Sequence, residues 1–69
     1  MLVIYKIETD GLNTYFKVAA ANVIDSAAAI DMAKEYSKSI PVIVGSTMVL
    51  EDTTRIVYGR YQNGESIPI

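Results

Sequence analysis

The chain has no cysteine, no histidine and no tryptophan. The first absence excludes a disulfide framework, a thiolate nucleophile and a cysteine-ligated metal. The second removes the commonest general base and most zinc sites. No charge of one sign dominates: six basic side chains stand against eight acidic ones, a formal charge of −2. With an isoelectric point near 4.8, a polyanion finds no net attraction. Long apolar runs are missing too. Asn22, Asp25 and Asp31 break the most apolar stretch, well short of the roughly 20 residues a membrane-crossing helix needs. Met1–Lys6 carries no basic region and no small-residue cleavage site, so a secretory signal is not expected. These absences lead us to expect a complete, cytoplasmic chain with no membrane partner.

What remains is 69 residues, 51% of them hydrophobic. That length holds one small domain and must stabilise itself through its core alone. Residues 2–9 are rich in β-branched and aromatic types and alternate apolar and charged from Tyr5 to Glu8, a strand signal. Asp10-Gly11 is a strong turn dipeptide. Residues 14–21 read as a second strand, so the two form an antiparallel hairpin. Asn22 is the expected helix cap and Asp25 the acidic residue facing the helix dipole. The helix is predicted from Val23 to Ser37 or Lys38, with Val23, Ala27, Ala29, Ile30, Ala33 and Tyr36 on one arc and Asp31, Glu35 and Lys38 opposite. Ile40-Pro41 ends it. A third strand is expected from Val42 to Leu50, interrupted at Gly45-Ser46-Thr47, and a fourth from Arg55 to Tyr61. For residues 63–69 three outcomes are open: a hairpin at Asn63-Gly64, docking on another subunit, or a loose tail, the last being the default.

The expected fold is therefore α+β, a single domain over residues 1–69 in the order ββαββ, with four strands and one helix on one face of the sheet. In topology alone this resembles the β-grasp arrangement of immunoglobulin-binding domains of bacterial surface proteins, a likeness without functional content. Two strand orders are compatible with it. In the preferred one β4 lies parallel to β1 in the centre; in the other β3 joins β1 antiparallel.

Alternation assigns the faces. If charged residues point to water, Val3, Tyr5, Ile7, Phe16 and Val18 face the helix. Leu2, Ile4, Lys6, Tyr15 and Lys17 then lie on the uncovered side. On the third and fourth strands either parity is open: Val42 and Val44 inward would add Ile43 to that side, and Ile56 and Tyr58 inward would add Arg55, Val57 and Tyr61. Such a face is too apolar for water, because burying one Ile or Val is worth about 1.5–3 kcal/mol. Apolar surface of this kind marks an interface. Ile4, Lys6, Tyr15, Lys17, Val57 and Tyr61 are the candidate partner-binding residues. The same tyrosines and cations would suit stacking on single-stranded nucleic acid, the alternative reading, although the charge balance disfavours it.

Other constellations fall short. Gly45-Ser46-Thr47 lacks the lysine and leading glycine of a phosphate loop. Glu8 with Asp10, and Glu51 with Asp52, are acidic pairs at turns with too few oxygens for a hard cation. No serine has an evident base. Neither catalysis nor a cofactor nor a metal is expected.

The run Phe16-Lys17-Val18-Ala19-Ala20-Ala21-Asn22, followed by a helix with Ala29, Ala33, Lys34, Glu35 and Tyr36, resembles a pattern in small ββα accessory proteins of phages and mobile elements. There an apolar-x-Val-x-Ala strand ends in Ser or Asn before an acidic-Ala-x-x-x-Ala helix. The sequence departs from it at Ser26, where alanine is the pattern's choice. The resemblance implies an accessory protein that binds, modulates or inhibits a host protein, and it carries over no binding residue. The expectation is a non-enzymatic interaction protein whose partner is a host protein or its own copy, as a homodimer.

Overall fold

A computed structural model describes residues 1–69. The elements are β1 (Leu2–Asp10), β2 (Asn13–Val23), α1 (Ser26–Ser37), β3 (Gly45–Glu51), β4 (Val57–Gln62) and β5 (Glu65–Ile67). The α+β class is as expected, but the sheet has five strands rather than four. Its spatial order is β2-β1-β3-β4-β5, and every neighbouring pair is antiparallel. The preferred β-grasp order is not what forms: β3, not β4, lies beside β1. The connection from β2 through α1 therefore delivers β3 to the free edge of β1.

The fifth strand comes from the tail. Asn63 and Gly64 both take positive φ, 48° and 80°, as the two centres of a type I′ hairpin turn must. Gln62 then faces Glu65 across the hairpin, and Ile67 reaches Arg60. The Gly64 N–H donates to Ser37 Oγ at 2.8 Å, tying this turn to the end of the helix.

The helix begins later than its sequence suggests. Asn22 still belongs to β2, at φ 58°. It sits where the β1–β2 register shifts, and asparagine tolerates that left-handed conformation. Asp25 is the cap instead, its Oδ1 accepting the Ala27 N–H at 3.1 Å. Ala29 and Ala33 are fully buried, and their small side chains let the helix lie close to the sheet. The core joins them to Leu2, Ile4, Val49 and Tyr61. Thr47 Oγ1, fully buried, donates to the Ala33 carbonyl at 2.8 Å and so bonds sheet to helix.

Gly45 does not interrupt a strand; it opens one. Residues 42–44 form a turn. A Cβ on Gly45 would collide with the Ile7 carbonyl oxygen, so only glycine lets β3 start so close to β1.

Candidate interaction face

Residues paired across an antiparallel ladder share a face. The even-numbered residues of β1 share theirs with Val49, Thr47 and Tyr61 and lie on the helix side of the sheet, Leu2 and Ile4 directly under the helix. The odd-numbered residues lie on the uncovered side. This inverts the expected parity of β1 and β2. Ile4 is fully buried beneath the helix and Tyr61 is 4% exposed; neither can meet a partner. Lys6, Lys17 and Tyr15 are also on the helix side; Lys6 is half-buried near Tyr36 of the helix, while Lys17 and Tyr15 are exposed. Of the six candidates only Val57 stands on the uncovered side, opposite Leu50.

Two physical reasons account for this. A twelve-residue helix is about 18 Å long, whereas the nine residues of β1 extend about 30 Å. The helix covers one end of the strand, so charged residues further along the same side stay in water without changing parity. Lys17 Nζ lies 3.7 Å from Glu8 Oε1, and Lys6 Nζ stands 5.9 Å from the centroid of the Tyr36 ring. In β4, a register shift separates the Leu50–Val57 pair from the Val49–Gly59 pair. That bulge puts Val57 and Tyr61 on opposite faces, where strict alternation would put them together.

The uncovered side consists of three rows across the sheet. Phe16, Ile7 and Ser46 form the first; Val18, Tyr5, Met48, Arg60 and Ile67 the second; Val3, Leu50 and Val57 the third. Phe16 and Val18 are 61% and 58% exposed. Tyr5, Ile7, Met48, Val57 and Ile67 are half-buried. Val3 and Leu50 are buried, so the accessible apolar surface lies mainly in the first two rows.

One cation stands in it. Arg60 Nη2 donates to Ser46 Oγ at 2.9 Å, while its buried Nε has no acceptor. No carboxylate lies within ion-pair distance of Arg60; the four ion pairs of the molecule involve the amino terminus, Lys17 and Lys38. An unpaired guanidinium amid apolar side chains is a donor awaiting an anionic acceptor. Strand alternation alone does not single out Arg60, which sits inside the Arg55–Tyr61 run. A cation two residues from Tyr58 in an apolar strand was the available signal.

A second polar cluster lies at the β3–β4 turn. Glu51 Oε1 accepts the amino terminus at 2.8 Å, and its Oε2 accepts the N–H groups of Thr53 and Thr54, each at 2.8 Å. These bonds, the amino-terminal one foremost, hold the Glu51 carboxyl down to about 2. Burial pushes the Tyr61 phenol up. No group of three or more carboxylates is placed to hold a metal, and no helix is long and apolar enough to cross a membrane. Compared with known proteins, the chain matches no family model, no curated protein and no solved structure.

Proposed function

We propose that this chain is a non-enzymatic interaction module that binds another protein through its helix-free sheet face. The observation that carries this reading is the uncovered apolar surface around Phe16, Val18, Tyr5 and Met48, with Arg60 unpaired beside them. The fitting partner presents apolar side chains to the first two rows and a carboxylate to Arg60. Apolar burial supplies affinity, and the charged contact supplies orientation. The resemblance of the Phe16–Asn22 run and the helix after it to phage and mobile-element accessory proteins suggests the setting: modulation or inhibition of a host protein. The nucleic-acid reading has less to support it, because Tyr61, one of its stacking tyrosines, is 4% exposed.

Affinity capture from the source cells tests this. Wild-type chain is compared with Val18→Glu and Arg60→Glu, and with Asp31→Lys on the exposed helix surface as control. One host protein should be retained by wild type and by Asp31→Lys and lost with the other two. Capture that is indifferent to Val18 and Arg60 would remove the face from consideration.

A further inference from the structure

The sheet has two edges of very different character. β5 is three residues long and is followed by Pro68. Natural proteins blunt edges in this way, with short strands and proline. β2, at the opposite edge, is eleven residues long and carries a single charge, Lys17. Its residues 13–18 are exposed on both faces.

The direction of its backbone groups follows from one bond. The Thr9 N–H donates to the Val44 carbonyl at 2.7 Å, on the β3 side. Backbone groups alternate in direction along a strand. The odd residues of β1 therefore bond towards β3 and the even ones towards β2. Glu8 and Lys6 are paired with Tyr15 and Lys17, so these two bond inward. Thr14, Phe16 and Val18 direct their N–H and C=O groups outward.

We infer that this edge pairs with β2 of a second copy, antiparallel, about a two-fold axis through Phe16. In that register Phe16 faces the second copy's Phe16, and Thr14 faces its Val18, each pair exchanging two backbone bonds. Lys17 faces the second copy's Tyr15, with Glu8 in the next strand of the same row, so a cation meets an aromatic ring and a carboxylate rather than another lysine. Competing registers are worse. An axis through Lys17 would pair Phe16 with the second copy's Val18, but it sets like charges opposite each other at its centre. An axis through Val18 runs into the register shift between the Ile4–Ala20 and Tyr5–Val18 pairs. One through Thr14 shortens the overlap, because the strand begins at Asn13. The product is a continuous ten-stranded sheet whose helix-free side joins the Ile7–Phe16 rows of both copies. This contact does not depend on the partner assigned to that face.

The test is sedimentation equilibrium of the full chain from micromolar to millimolar concentration. It is run on wild type, on Arg60→Glu, and on a chemically synthesised chain N-methylated at Phe16. The methyl group removes one outward N–H and leaves every side chain intact. Wild type and Arg60→Glu should form the same dimer, and the N-methyl chain should dissociate at least tenfold more readily. Amide exchange of the unmodified chain gives a readout free of folding defects: exchange at Thr14, Phe16 and Val18 should slow with concentration. A wild-type monomer throughout, a dimer untouched by N-methylation, or outward amides whose exchange ignores concentration would each overturn the edge pairing. Retained dimer with lost host capture in Arg60→Glu would separate this contact from the partner-binding face.

Discussion

Lys6 and Lys17 lie directly opposite each other across the β1–β2 ladder, an arrangement that costs energy when nothing relieves it. Glu8 beside Lys17 and the Tyr36 ring near Lys6 provide relief, and Lys17 remains open to solvent while Lys6 is half-buried. Glu51 is the more consequential charge, since it ties the amino terminus to the β3–β4 turn. Its folded pKa of about 2 lies below the free value of 4.5. The contribution to stability is therefore fully present above about pH 4.5 and fades as the pH falls towards 2. The amino terminus is shifted the other way, raised from 8.0 chiefly by its hydrogen bond to Glu51. Its contribution is complete below pH 8 and fades as the pH rises past the folded value. Urea midpoints measured across pH should show both declines in wild type, and Glu51→Gln should flatten the acid one. An unchanged acid slope in Glu51→Gln would place the sensitivity in another carboxylate.

At the scale of elements, local signals and pairing geometry divide the labour. Asp25 caps the helix because its side chain reaches the Ala27 N–H, whereas Asn22, three residues earlier, is held in the sheet by pairing of β2 with β1. Asp25→Ala should lower stability by about 1 kcal/mol, read from thermal unfolding followed at the helix signal. Asn22→Gly removes a side chain only from a left-handed position, so it should leave the melting temperature level or raise it slightly. A large loss from Asn22→Gly with none from Asp25→Ala would return the cap to Asn22. The first hairpin was legible because its turn dipeptide, Asp10-Gly11, has an intrinsic conformational preference; Asn63-Gly64 carries the same kind of signal, but a loose tail was the default there and the structure forms β5 instead. Strand faces were not, because parity rests on which part of a long strand the helix covers.

For the whole molecule, the β1–β3 pair is the seam on which the two halves meet. It joins the first hairpin to the chain that follows the helix, over the register Leu2–Glu51 to Glu8–Gly45. Gly45 permits it by leaving room for the Ile7 carbonyl. Gly45→Ala sets a methyl group against backbone atoms that cannot swing aside. Overpacking of this kind costs about 1–3 kcal/mol or more. Denaturation should show that loss, with amide exchange accelerated along β3 more than along β2. Equal stability for Gly45→Ala would mean that the seam has slack.

The sequence by itself determined the α+β class, the first hairpin, one helix ending at Ser37 or Lys38 though not its start, and an apolar surplus too large for one helix to cover. Each follows from composition or from contacts between near neighbours in the chain. Only the tertiary structure decided that β3 lies beside β1, that Ile4 and Tyr61 are core, and that Phe16, Val18 and Arg60 are on the open side. Those outcomes depend on how far a short helix reaches along longer strands and on a bulge at Tyr58. Neither quantity is local, and a single extra residue in a strand exchanges every face assignment beyond it.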